Sequence, residues 1–280
     1  MVTRNGQTLV IAVLGLGEAG SAIASDLVTA GARVRGYDPA VTAAEPVIDT
    51  GSEAEAARGA HLVLSVNSAK AAVDALRAGL PGVRQAGRPR RGEGQGRSPR
   101  PDVLWADLNT ASPGAKRQLA DIAGTAGVAF ADVAMMAPVP GRGLRVPMLA
   151  SGTGAARYAA MLTSLGADIG VLDGPAGLAA SRKLLRSVFY KGMAAAIVEA
   201  LDAARAAGDE QWLSDHIAAE LAGMDATTLT RITDGTRRHA VRRTAEMEAA
   251  ADMLTELGVA PLMADASRAL HARLTGNDNP

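Results

Sequence analysis

Residues 9–38 read LVIAVLGLGEAGSAIASDLVTAGARVRGYD, and this stretch decides the fold. Leu9 to Leu14 is apolar and β-rich without alternation, the pattern of a strand covered on both faces of a parallel sheet. Directly after it, Gly15, Gly17 and Gly20 form G-x-G-x-x-G. A glycine at 15 permits the tight turn, one at 17 lets the backbone approach a pyrophosphate, and one at 20 lets the next helix pack closely with its N-terminal N–H groups facing the anion. Asp38 follows the second strand, Arg33 to Tyr37, 18 residues after Gly20, near the spacing at which an acid meets the ribose hydroxyls of a dinucleotide. Strand, glycines, helix, strand and acid together predict Gly15, Leu16, Gly17, Glu18, Ala19, Gly20 and Asp38 as dinucleotide-binding residues. A carboxylate at 38 accepts hydrogen bonds from a 2′-hydroxyl and repels a 2′-phosphate, and Pro39 and Ala40 supply no cation to hold one. NAD is therefore expected as the cofactor, with NADP the alternative.

Outward from this stretch, further buried strands are expected at His61 to Val66, Val103 to Leu108, Val128 to Val133, Pro147 to Ala150 and Ile169 to Leu172, separated by Ala-rich stretches of helical spacing. This alternation predicts a doubly wound, Rossmann-type parallel sheet over residues 1–174. Between Arg84 and Pro101 the text turns to Gly, Pro and Arg with almost nothing apolar to bury, and residues 84–101 read as a mobile surface loop without assigned function. From about Pro175, strand signals vanish and long Ala-, Leu- and Met-rich segments of period near 3.6 take over. Residues 175–280 are therefore expected to form an all-helical domain for substrate binding and dimerisation.

Composition narrows the function. Lys plus Arg and Asp plus Glu balance at 29 each, which removes the broad field that nucleic-acid or anionic-membrane binding exploits. With no cysteine, thiolate nucleophiles, disulfides and Cys-ligated metals are excluded, as suits a reducing, cytoplasmic setting. The apolar start, Leu9 to Leu16, is too short to span a bilayer and runs into Gly17 and Glu18, so it reads as a strand and not a leader. There is no G-x-S-x-G, no closely spaced His pair and no Walker lysine.

With the opening signature in view, the chain resembles the β-hydroxyacid dehydrogenase superfamily, which includes 6-phosphogluconate and 3-hydroxyisobutyrate dehydrogenases. Ala106 to Pro113 (ADLNTASP) is similar to the family segment passing the nicotinamide end of the cofactor, which implies contacts from Asn109 and Thr110, with Asn67 also lying along the cofactor. Ala137 to Arg142 (APVPGR) resembles the family's APVSGG turn, which presents backbone N–H groups to a substrate carboxylate. Pro140 stands for the usual Ser and Arg142 for the last Gly, so Pro140, Gly141 and Arg142 are the implied substrate contacts, Arg142 as a bidentate clamp and Arg145 as a second candidate. Gly177 to Ser187 (GLAASRKLLRS) resembles the start of the family's long helix, which places its catalytic lysine at Lys183 and replaces its paired Asn residues with Arg186 and Ser187.

Read without the family, Lys183, Arg186, Ser187, Tyr190 and Lys191 form a polar stripe at three- and four-residue spacing. Such a stripe is either a solvated face or a functional one. The chemistry implied by the resemblance is hydride transfer between a carbinol carbon and nicotinamide, with Lys183 as the general base, its pKa lowered by desolvation or by the charges of Arg182 and Arg186 so that the amine sheds its own proton and can accept another. Ser187 then meets the substrate hydroxyl, and Tyr190 and Lys191 its distal end. The expected substrate is a small anionic hydroxy acid or its keto partner, and a β-keto acid product would go on to decarboxylate. Imine reductases share this N-terminal fold but usually lack the lysine; a non-catalytic dinucleotide sensor is the other alternative. Farther on, Arg237, Arg238, His239, Arg242 and Arg243 concentrate positive charge, either on an exposed helix with internal ion pairs or reaching a neighbouring active site in a homodimer formed through the helical domain.

Overall fold

Alternate residues of the first strand feed two separate cores, which is why the sequence shows no polar face there. Ile11 and Val13 of β3 (Val10–Leu14) pack with Ile23 and Leu27 of α1 (Glu18–Thr29), whereas Ala12 and Leu14 pack on the other side of the sheet. The structure is a computed structural model and describes residues 3–4, 7–85 and 103–275. Apart from the last residues of a helix at Arg84 and Gln85, the Arg-rich stretch expected at 84–101 lies outside the described residues. The chain separates into two units, Met1–Leu185 and Arg186–Pro280.

In the first unit, a small antiparallel pair, β1 (Thr3–Arg4) and β2 (Gln7–Thr8), precedes the main sheet. The sheet then runs through β4 (Arg33–Tyr37), β5 (Ile48–Asp49), β6 (Leu62–Ser65), β7 (Leu104–Asp107), β8 (Ala129–Met135), β9 (Met148–Ser151) and β10 (Ile169–Val171). Its eight strands lie in the order β10-β9-β8-β7-β6-β3-β4-β5. The helices α2 (Glu53–Ala57), α3 (Ala72–Gln85) and α4 (Pro113–Thr125) contribute to one face, where Leu76, Leu80 and Leu119 meet Val63, Trp105 and Phe130. The other face carries α1 and α5 (Ala155–Thr163), with Tyr158 and Leu162 in its core.

The pairing is parallel except between β8 and β9. Between these two the chain makes only a short turned connection with a single 3-10 turn at Gly143–Arg145, where a parallel return would need a full crossover. The seven longer strands fall where periodicity put them. β5 and the β1–β2 pair are only two residues per strand, too short to leave a periodic signal.

Helices account for the remainder. The 30-residue α6 (Leu178–Ala207) begins close to the expected change at Pro175 and crosses from the first unit into the second. The second unit adds α7 (Glu210–Ala222), α8 (Ala226–Arg238), α9 (Ala240–Glu256) and α10 (Leu262–Thr275). One helix start is capped locally and another from a distance: Asp225 makes a capping box with Thr228 at the head of α8, whereas Glu199 of α6 accepts the Met263 and Ala264 N–H groups at 2.7 and 2.8 Å at the head of α10. Ala251, Leu254 and Ala264 are buried, but α7 buries none of its residues, and a cavity of about 420 Å³ lies open between Ala200, Trp212, Met247, Leu254 and Met263. Among the described residues no helix is long and apolar enough to cross a membrane.

Candidate functional site

The strand order reverses its direction of growth at β3, which pairs with β4 on one side and β6 on the other. A crevice at the carboxyl ends of such strands is where open α/β sheets bind ligands. Gly15, Asp38, Asn67 and Asn109 follow the ends of β3, β4, β6 and β7 respectively, so the predicted cofactor residues converge on this edge.

Each glycine of the fingerprint has a distinct spatial reason. Gly15 has a φ of +98°, and a Cβ there would lie 2.6 Å from the Asn67 backbone nitrogen. At Gly20 a Cβ would lie 1.9 Å from the Gly15 carbonyl oxygen, so α1 approaches the turn as closely as only glycine allows. Gly17 is different: nothing lies within 4 Å of its Cβ position, and it is exposed at the head of α1. The space that a side chain would fill is the space a pyrophosphate needs, and the first N–H groups of α1 have no intrahelical partners. The residues present therefore fit a dinucleotide.

Asp38 is held by three backbone N–H groups. Leu16 donates to Oδ2 at 2.8 Å, while Ala40 and Val41 donate to Oδ1 at 2.8 and 3.1 Å. The carboxylate is thus fixed against the glycine turn while remaining partly exposed, with lone pairs left for ribose hydroxyls. Glu18 is exposed in the first turn of α1, and Ser21 anchors that turn by donating to the Leu16 carbonyl at 2.6 Å.

Asn109 and Asn67, 42 residues apart in sequence, are joined directly. The Asn109 amide donates to Asn67 Oδ1 at 2.8 Å, to Asp107 Oδ1 at 2.6 Å and approaches Ser65 Oγ at 3.2 Å. Its N–H groups are engaged within the protein, so Asn109 acts first by fixing Asn67. Thr110 is exposed beside it.

The implied substrate turn is built differently from a simple row of outward N–H groups. The Arg142 and Gly143 N–H groups both donate to the Val139 carbonyl, at 2.9 and 2.8 Å. Asp26 of α1 accepts the Leu144 N–H at 2.8 Å and so pins the turn to the glycine-loop helix. Pro140, Gly141, Arg142 and Arg145 are exposed. The sequence offered no signal for Asp26, because its partner is 118 residues away.

Lys183 is partly buried in the second turn of α6. Arg186, Ser187, Tyr190 and Lys191 continue along that helix in the second unit, where Arg186 lies over the Tyr190 ring at 4.4 Å from its centroid. The first turn of α6 is fastened by residues that sequence reasoning missed. Asp132 Oδ2 accepts the Gly177 and Ala180 N–H groups at 2.9 and 3.1 Å, and Ser151 Oγ accepts the Ala179 N–H at 3.1 Å. A lone acid inside the apolar run FADVAM was the available clue. In the basic segment, Arg242 pairs with Glu246 at 3.0 Å and Arg243 donates to Thr236 at 2.6 Å. Among the described residues no cluster of His, Asp and Glu could hold a metal ion.

Residues 10–142 match the NAD binding domain of 6-phosphogluconate dehydrogenase, and residues 204–274 match a Domain of unknown function (DUF1932). No curated protein matches the chain. Among solved structures, a conserved hypothetical protein from Sinorhizobium meliloti 1021 is 26% identical, with 98% of this chain and 91% of that chain covered and a TM-score of 0.58. A conserved protein of unknown function, described as similar to 3-hydroxyacid dehydrogenases, is 24% identical over 96% of this chain and 97% of that one, TM-score 0.55. An imine reductase from Streptomyces aurantiacus is 19% identical over 94% and 93%, TM-score 0.74. The first unit therefore carries an NAD(P)-binding domain of the 6-phosphogluconate dehydrogenase type, followed by a helical region, and the resemblance read from the glycine fingerprint holds. Lys183 falls between the two matched segments.

Proposed function

We propose that the chain is an NAD-dependent oxidoreductase that moves a hydride between the cofactor and a small anionic hydroxy acid or its keto partner. The observation that carries this reading is that the Lys183-bearing end of α6 is fastened, through Asp132 and Ser151, to the same sheet whose strand ends form the dinucleotide cradle. When bound, the nicotinamide supplies the hydride acceptor. Asp38 accepts the ribose hydroxyls and the open edge at Gly17 receives the pyrophosphate. Lys183, as the free amine, takes the hydroxyl proton while the carbinol C–H leaves as hydride and the carbon–oxygen double bond forms; in the reverse direction its ammonium returns that proton to the oxygen. Arg142, exposed on the turn pinned by Asp26, holds the substrate anion, and Ser187 lies one helical turn beyond Lys183 on the same face.

The same function includes a homodimer through the helical unit. Leu185, at the end of the first unit, and Val188 and Phe189, in the second, stand at i, i+3 and i+4 on one face of α6 and are 68%, 75% and 63% exposed. A second copy of a chain with balanced charge meets no net repulsion.

Imine reduction on the same architecture is the second reading, favoured by the fold likeness to imine reductases. The two are separated by following the absorbance of reduced nicotinamide with NAD and NADP against panels of hydroxy acids, keto acids and cyclic imines, for wild type and Lys183→Ala. Oxidation of a hydroxy acid that disappears in Lys183→Ala supports the dehydrogenase. Turnover confined to imines, or a Lys183→Ala variant as active as wild type, overturns it, and nucleotide binding without any turnover leaves the sensor.

A further inference from the structure

Three ionisable side chains are shut inside the first unit, and none of them is assigned a step of the proton or hydride transfer. Asp107 at the end of β7, Lys116 in α4 and Asp132 in β8 are each 0% exposed. Lys116 Nζ lies 2.6 Å from Asp107 Oδ2, 2.7 Å from the Asp107 carbonyl and 3.3 Å from Asp132 Oδ1. Charges are buried only when paired and hydrogen-bonded, and a cluster of two acids and one base is one positive charge short.

The missing positive character comes from the head of α6. Its N–H dipoles carry a fractional positive charge, and Asp132 Oδ2 takes two of them, from Gly177 and Ala180, along with the Ser151 hydroxyl at 3.2 Å. Gly177 has no side chain with which to cap its own helix, so the cap is supplied by the sheet. At the other end, Asp107 Oδ1 accepts from the Asn109 amide, which holds Asn67. A chain of contacts thus runs from Asn67 and Asn109 at the cofactor edge to the turn of α6 that ends three residues before Lys183: hydrogen bonds link Asn109 to Asp107 and Asp107 to Lys116, an ion pair at 3.3 Å links Lys116 to Asp132, and Asp132 is hydrogen-bonded to the turn.

We infer that Lys116, Asp132 and Ser151 are positioning residues: they set the height and direction of the first turn of α6, and through it the place of the Lys183 amine relative to the dinucleotide edge. The inference rests on the reading of Lys183 as the proton-transfer group. A purely structural cluster would stabilise the fold and leave the chemistry of Lys183 alone. A positioning cluster alters the surroundings of that one amine when it is loosened, and a displacement of about 1 Å at a reacting group costs on the order of a hundredfold in rate.

The test reads Lys183 itself and needs no substrate. The full chain is acylated with acetic anhydride over a range of pH, and the rate at Lys183 is followed by peptide mass analysis against exposed Lys191 in the same molecule. Ser151→Ala removes one neutral hydroxyl and is the variant least able to disturb folding; Asp132→Asn removes the charge; Ser151→Thr restores the hydroxyl. Positioning predicts that Ser151→Ala and Asp132→Asn change the Lys183 rate by about threefold or more, as a shift of about half a pKa unit would, with Lys191 unaltered and Ser151→Thr near wild type. Wild-type labelling of Lys183 in folded Ser151→Ala overturns the inference, whatever happens to the melting temperature. A Lys183→Ala variant that keeps full turnover would sink the base assignment instead, and leaves the labelling result standing, so the two failures are distinct.

Discussion

Asp38 Oδ2 accepts the Leu16 backbone N–H at 2.8 Å, which ties the end of the second strand of the fingerprint to its glycine turn. The residue proposed to select the ribose therefore also fixes the glycine turn.

Replacing that acid should accordingly do two things at once. Asp38→Ala is expected to weaken NAD by about tenfold or more, since hydrogen bonds to a charged group are worth roughly 1.5–3 kcal/mol, and to narrow the preference over NADP by removing a repulsive charge. Fluorescence titration with both dinucleotides measures it; an unchanged NAD-to-NADP affinity ratio would contradict the role given to Asp38.

Gly17 and Gly20 should part company when each is changed to alanine. Gly17→Ala puts its methyl into open space, so the protein is expected to melt as wild type does and yet lose dinucleotide binding. Gly20→Ala drives a methyl to 1.9 Å from the Gly15 oxygen, and overpacking of this kind costs about 1–3 kcal/mol or more. Thermal melting with and without NAD separates the two.

Breaking the buried cluster should be far more damaging than its size suggests. Lys116→Met leaves two carboxylates buried with no cation, and removal of one partner from a buried ion pair costs about 3–5 kcal/mol. Urea denaturation gives the value directly. A loss no larger than that of an exposed pair such as Arg242 with Glu246 would mean that water reaches the site.

Burial pushes the Tyr158 hydroxyl above the ordinary tyrosine range. The folded protein keeps a proton that the unfolded chain gives up near pH 10. Stability from this group is therefore whole below about pH 10 and is lost as the pH rises above it toward the raised folded value. Tyr158→Phe, which gives up only a 3.2 Å contact with the Met148 sulfur, should flatten the alkaline fall in stability. Denaturation midpoints that decline equally steeply in both proteins would reject this.

The apolar face of α6 predicts a particle of twice the 28.5 kDa chain mass. Val188→Asp should convert it to single chains in light scattering after gel filtration, because a charge in an apolar interface is left unpaired. Wild-type protein already running as a single chain would remove the dimer from the proposal.

Local pattern determined a great deal. The period of apolar residues placed the longer strands and the onset of α6 near Pro175, because burial on two faces of a sheet leaves an uninterrupted apolar run and a helix leaves a period near 3.6. The fingerprint glycines and Asp38 were legible because each is dictated by backbone geometry within one βαβ unit, where sequence distance and spatial distance are nearly the same. Tertiary structure alone decided the rest. Asp132 meets Gly177 and Ala180 across 45 and 48 residues, Asp26 meets Leu144 across 118, and the pairing of Asn67 with Asn109 spans 42. No periodicity links such positions. A buried charge must find its partner wherever the folded chain brings one, and only the packing of α4, β8 and α6 shows that Lys116 and Asp132 are buried and which groups they meet.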